Sequence, residues 1–262
     1  FFSDNRIKAY FCGLLLKQKT MNNIPAVTKN LLIINVLFFF GAMAAQRWGY
    51  DLNNLLGLHF FLSPDFNVAQ LVTYMFMHAN FEHIFFNMFA VWLFGRTLEL
   101  VWGPKRFLIY YMVCGVGAGL VQELVTGIEY YSMASSMSPE ALEVVLREGA
   151  SALQSGMNFV DSRMAELNIV VNHSTVGASG AVYGILLAFG MLFPNTEMFV
   201  FPIPFPIKAK FFVVGYAVIE LVLGMSRTAD GVAHFAHLGG MIFGLLLIVY
   251  WKKKRNNGQF YY

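Results

Sequence analysis

Six apolar runs, most of them close to the length a helix needs to cross a bilayer, restrict the folds open to this chain more than any other feature. They extend from Leu31 to Gln46, Phe81 to Trp102, Phe107 to about Val125, Val176 to Phe193, Phe211 to Met225 and Val232 to Trp251. A spanning helix takes about 20 such residues, and the first, fourth and fifth runs reach that length by borrowing from their flanks. Lipid offers no hydrogen bonds to a backbone, so segments of this kind must satisfy their own N–H and C=O groups as helices. The expectation is an all-α polytopic membrane protein with six transmembrane helices in one bundle. Composition points the same way: 57% of the residues are hydrophobic and 13% charged, too few charges to cover a soluble domain of this size.

Lysine and arginine set the orientation. With the N-terminus inside, 14 of the 18 basic residues fall on inner segments and four (Arg47, Arg147, Arg163 and Arg227) on outer ones, with every lysine inside. This is the positive-inside pattern, with both termini cytoplasmic. The net charge of +3 therefore reports contact with a lipid bilayer and membrane topology, and no nucleic-acid partner is expected. Cys12 and Cys114 make no disulfide framework. Residues 1–20 read as a non-native or upstream extension, since Met21 opens a more natural start (MNNIPAVTKN). Residues 21–255 form the transmembrane domain and 256–262 a short tail. No targeting peptide is recognisable, so a bacterial inner membrane is expected.

Two outer segments are long. Residues 47–80 are rich in Phe, Leu and Asn and suit the interface. Residues 126–172 form a polar, acidic insertion in which Ser138 followed by Pro139 marks a helix N-cap. One or two amphipathic helices outside the bilayer are expected from there to about Met164.

Polar residues inside apolar spans are expensive, so each is a candidate for function. In Gly177-Ala178-Ser179-Gly180-Ala181-Val182-Tyr183-Gly184, small neighbours leave the Ser179 hydroxyl open. A helix N-terminus there offers unpaired N–H groups to an oxyanion. The competing reading is a packing face, because Gly180 and Gly184 make a GxxxG. In the last span His237, Gly240 and Gly244 share one helix face, so another helix can come close to the imidazole. The alternative is a histidine bonded to a neighbouring carbonyl. In the second span His83 and Asn87, at i and i+4, offer donors to an oxyanion hole. His78 and Glu82 suit capping or loop anchoring, and Arg96, Glu99 and Arg106 a structural ion-pair cluster. Both Ser179 to Phe193 and His237 to Trp251 are 15 residues, which puts Ser179 and His237 at one depth, roughly 22 Å above the inner boundary. No metal site is expected: HExxH is absent, and Asp230 is the one carboxylate close in sequence to His234 and His237.

Together the motifs GASG with Tyr183 four residues after the serine, AHLGGxxxG, HxxxxHxxxN and GRxLExxxG resemble those of the rhomboid intramembrane proteases, over roughly residues 25–250. The resemblance implies a serine endopeptidase that cleaves single-span transmembrane proteins near the outer face of the membrane, without cofactor or metal. It implies Ser179 as nucleophile and His237 as general base, then general acid, in a dyad with no aspartate third member. It further implies an oxyanion held by the Ser179 N–H with His83 and Asn87, Tyr183 packed on the His237 ring, and supporting roles for Gly177, Gly180 and Gly240. With no third group, the ring is expected to be oriented by packing alone. The segment from Pro202 to Pro206 and the fifth span are expected to act as a lateral gate. The alternatives are a catalytically inactive relative that binds client transmembrane helices and, opposed by the absence of inverted repeats and intramembrane acid pairs, a small transporter or channel.

Overall fold

The computed structural model describes residues 24–199, 205–226 and 232–256. The supposed extension 1–20, Met21, Asp230, the Pro202–Pro204 part of the gate segment and residues 257–262 of the tail lie outside them. The chain is an all-α polytopic bundle. The first span is α1 (Ala26–Gln46), followed by the short helices α2 (Leu52–Leu56) and α3 (Gln70–Thr73). The second runs through α4 (Phe81–Ala90), a π-turn over Val91–Gly95, and α5 (Arg96–Trp102). The third is α6 (Pro104–Ala134), and the outer insertion folds as α7 (Pro139–Gln154) and α8 (Ser162–Asn172). The last three helices are α9 (Ser179–Leu192), α10 (Ala209–Met225) and α11 (His234–Asn256), with a two-stranded ribbon, β1 (Glu197–Met198) and β2 (Ile207–Lys208), between α9 and α10. Four of these helices are long and apolar enough to cross a membrane by length and composition, and Ser179–Leu192 is a shorter apolar helix.

The third span differs most from the sequence expectation. Its 31 residues reach about 46 Å at 1.5 Å per residue, well past a core of about 30 Å. The outer third of α6, from about Leu124 to Ala134 and carrying Glu129, therefore extends beyond the length of one hydrocarbon core and provides Tyr130 to the packing of the insertion. Ser138 accepts from Ala141 N and Pro139 opens α7, as the cap signal requires. The second amphipathic helix begins at Ser162, near where the sequence reading ended it, because Asp161 caps it by accepting from the Arg163 and Met164 amides. Val145, Leu167 and Val171 close a small second core with Phe60 and Tyr130. A chain of amides, Asn158–Asn168–Asn172, continues to Ser63 and ties the hairpin to the 47–80 segment.

The short helix α9 sits at the centre because its glycines allow it. A Cβ on Gly180 would run into Ala118 of α6, and one on Gly184 into Cys114. On the opposite side a Cβ on Gly240 of α11 would collide with the Gly180 carbonyl. The GxxxG run thus seats α9 on α6, while Gly240 lets α11 close on α9. Tyr110 seals it by donating to the Gly184 carbonyl at 2.8 Å. At the inner end Glu99, one of the three residues expected to form an ion-pair cluster, accepts from the Val27 and Thr28 amides and the Thr28 hydroxyl at 2.7–2.9 Å. It satisfies the open N–H groups at the start of α1, while Arg106 lies over the Trp251 ring.

Candidate functional site

The loop entering α9 is held from two sides. Leu58 and Thr175 exchange backbone hydrogen bonds at 2.8 Å, and Gly177 N donates to the Tyr74 carbonyl at 2.9 Å. Gly177 then turns with φ 128°, a conformation open in practice only to glycine. A Cβ there would also stand 2.6 Å from Nε2 of His83. The turn delivers Ser179 as the first residue of α9, where helix geometry leaves its N–H without an intrahelical acceptor.

From α11, Nε2 of His237 meets the Ser179 hydroxyl at 2.8 Å. The Tyr183 ring, one turn along α9 from Ser179, stacks on the imidazole with centroids 4.2 Å apart and planes 7° from parallel. His83 and Asn87 lie on α4, across from Ser179. Asn80 caps that helix by accepting from His83 N at 2.8 Å, so the cap falls to Asn80 and to neither His78 nor Glu82. Asn87 donates to the His83 carbonyl at 3.0 Å through Nδ2, which leaves its second N–H for another acceptor. The His78 ring packs edge-on against His83 at 5.0 Å. It lies in the loop before α4, and burial, followed by the neighbouring His83, lowers its pKa to about 3.

The expectation of a site without a third carboxylate fails. Glu220, in the middle of α10, is 5% exposed, and its carboxylate lies on the far side of the His237 ring. Its Oε2 accepts from Nδ1 of His237 at 3.0 Å and from Nδ1 of His234 at 2.7 Å. Its Oε1 accepts from the Tyr183 hydroxyl. The ring is therefore held by a carboxyl acceptor as well as by stacking. Along the chain, Asp230 is the acid that lies close to the histidines. Glu220 lies 17 residues from His237, on a separate helix. The signal available was its rarity: one carboxylate in the apolar run Phe211–Met225, the kind of residue that marks function in a span.

Glu220, His234 and His237 also place three ligand-type atoms within 4.8 Å of one another. Here the carboxylate oxygen itself occupies the point on which both ring nitrogens converge. The trio is thus arranged as a hydrogen-bonded network, with no gap between its members.

Ser179 and His237 line a cavity of about 1950 Å³. Its lining includes Phe86 and Phe89 of α4 with Leu93 of the π-turn, Phe212 and Tyr216 of α10, and Glu129 of α6 and Glu166 of α8.

Fold and site together define a multi-spanning helical membrane protein in which a serine, an imidazole and a carboxylate form one hydrogen-bonded chain beside a large cavity. The chain belongs to the rhomboid family: residues 65–254 match the Rhomboid domain. It is 26% identical over 227 residues to Rhomboid protein 1, mitochondrial, of Saccharomyces cerevisiae, covering 82% of this chain and 50% of that protein. It is 24% identical over 234 residues to Rhomboid protease AarA of Providencia stuartii, covering 86% of this chain and 72% of that one. A shorter stretch of 91 residues is 25% identical to Rhomboid protease GlpG of Haemophilus influenzae, 34% of this chain and 47% of the other. The chain spans about half the length of the two yeast relatives, both mitochondrial, that it matches.

Proposed function

We propose that this chain is an intramembrane serine endopeptidase that cleaves single-span transmembrane proteins close to the outer face of the membrane. The observation that carries the proposal is the 2.8 Å contact between His237 Nε2 and the Ser179 hydroxyl, placed between apolar helices. In such surroundings a polar pair without a task is costly.

The chemistry follows from the geometry. His237 Nε2 takes the proton of the Ser179 hydroxyl as its oxygen bonds to the scissile carbonyl carbon. The carbonyl electrons move onto its oxygen, which is stabilised by the Ser179 N–H at the start of α9 together with His83 and Asn87. The imidazolium then gives its proton to the departing amine, and water repeats the cycle on the acyl-enzyme. An intact helix shields its own carbonyls, so the substrate must unwind locally at this point. A cavity of about 1950 Å³ exceeds the 300–1,000 Å³ or so of small-ligand pockets and suits an extended peptide segment. Lining residues from both α4 and α10 favour lateral entry between those helices, with α10 and the segment before it as the gate. The α7–α8 hairpin forms the outer rim and bears on which substrates reach Ser179.

The excess of Lys and Arg on the segments at both ends of the bundle favours placing both termini on the inner side of the membrane, which is the cytoplasm for a bacterial membrane and the matrix for a mitochondrial inner membrane. With mitochondrial proteins among the relatives, the proposal fixes this side and leaves aside the bacterial compartment first expected.

The test is cleavage of a fluorogenic single-span substrate by the reconstituted protein, by Ser179→Ala and by His237→Ala. Wild type should cleave and both variants should not. Equal rates in all three would remove the protease reading and favour an inactive relative that binds client helices.

A further inference from the structure

Glu220 is unexplained by a Ser–His dyad. It is a carboxylate buried in the middle of a helix whose buried face is otherwise small: within α10 the other buried residues are Ala209 and Val213. Its neighbours Val218, Ile219, Leu221 and Val222 are all exposed on the apolar exterior. Burying an acid here is costly unless it is fully hydrogen-bonded. It is met by three donors from two other helices: Tyr183 of α9, and His234 and His237 of α11. All three contacts are satisfied together if Glu220 is ionised and both imidazoles carry their proton on Nδ1. That tautomer leaves the lone pair of His237 Nε2 directed at the Ser179 hydroxyl, as a general base requires.

We propose that Glu220 is the third member of the catalytic relay, a positioning residue on α10 that holds His237 in the Nδ1–H tautomer and stabilises the imidazolium formed when Ser179 gives up its proton. This deepens the protease reading and rests on it. Glu220 keeps its charge throughout: the proton travels from the Ser179 oxygen to His237 Nε2 and on to the leaving amine, while the Nδ1 proton stays on the ring. His234 donates to the same carboxylate oxygen at 2.7 Å, and Tyr183 to the other, so the acid cannot swing away from the ring. Because the acid comes from α10 while the base comes from α11 and the nucleophile from α9, the relay is complete only when α10 is docked on the other two helices. A substrate entering beside α10 would then meet a base whose orientation depends on that same helix.

Glu220→Gln and Glu220→Asp, reconstituted beside wild type and Ser179→Ala, test the proposal. Gln keeps the shape and one acceptor but turns an amide donor toward the rings and disturbs the tautomer; Asp keeps the charge with a shorter reach. Glu220→Gln should lower kcat by about 10²–10⁴-fold, the upper end set by the loss on an aspartate-to-asparagine change in a serine-protease triad, with KM within threefold and thermal unfolding near wild type. Glu220→Asp should recover at least tenfold of that loss. A fluorophosphonate should label Ser179 more slowly in Glu220→Gln by a comparable factor. A kcat within threefold of wild type in Glu220→Gln, or a loss that tracks unfolding alone, overturns the proposal. Should Glu220→Gln fail to fold, Glu220→Asp decides: wild-type kcat in a folded Glu220→Asp overturns it, and lowered kcat at unchanged KM and unfolding temperature supports it. The two levels of failure are distinct. Wild type no better than Ser179→Ala removes the protease reading itself, whereas an active wild type with an equally active Glu220→Gln removes only the role of Glu220.

Discussion

Acidification should destabilise this protein through one histidine that no catalytic scheme uses. His78 lies in the loop that leads into α4, 2% exposed, against the edge of His83. Burial, with His83 as the smaller cause, lowers its pKa to about 3, whereas in an unfolded chain it titrates near 6.5. The folded pKa lies below the unfolded one, and the group is a base. Its contribution is therefore fully present above about pH 6.5 and is lost as pH falls toward 3, because the unfolded chain gains a proton that the folded one refuses. At pH 5 the gap covers about 1.5 pH units, worth about 2 kcal/mol at 1.36 kcal/mol per unit. His173, after α8, is also held below its usual range by burial and then by His59, and adds to the trend. The comparison that isolates His78 is wild type against His78→Phe, with unfolding free energies measured by tryptophan fluorescence in mixed micelles at pH 7, 6 and 5. Wild type should lose about 2 kcal/mol more than His78→Phe between pH 7 and 5, since every other histidine is common to both. Parallel curves would refute the reasoning and mean that the His78 ring is protonated or solvated in the fold.

Other expectations concern the turn, the oxyanion and the insertion. Gly177→Ala combines a backbone strain of about 1–3 kcal/mol at φ 128° with an overlap against His83. It should lower both unfolding free energy and turnover, and a variant within 0.5 kcal/mol of wild type (about the spread of neutral surface changes) would contradict this account of the turn. On the proposed mechanism Asn87→Ala removes an oxyanion donor and should lower kcat about ten- to a thousandfold with KM little changed; unchanged kcat would take Asn87 out of the site. Leu167→Ala empties the centre of the second core, where Leu167 is fully buried. It should cost about 2–5 kcal/mol, read as earlier protease nicking between α7 and α8, and a nicking rate like that of wild type would argue that the hairpin is held by its amide chain.

What was legible in the sequence, and what was not, divides along a physical line. Helices that cross a bilayer declare themselves by length and apolarity, which is why the starts and ends of the second, fourth and fifth spans fall within a few residues of the apolar runs. The third span ran on to Ala134 because an apolar count stops where lipid stops, while a helix stops where its cap is; Ser135 to Ser138 supply that break. Ser179 and His237 could be proposed as partners because both lie on spans running toward the inner face, where equal distance from a common boundary is equal depth. Glu220 follows the other rule. It runs in the opposite direction on α10, and its chain neighbours are all aliphatic or small: Val218, Ile219, Leu221 and Val222. Periodicity along its own helix cannot reveal that three donors from α9 and α11 converge on it, because that convergence is a property of how three helices pack. Energetics points to it instead: a lone acid in hydrocarbon needs donors, and His234, His237 and Tyr183 are polar residues of the two spans that flank it in sequence. The carboxylate that composition made improbable in that span is thereby the residue that most restricts what the neighbouring histidine can do.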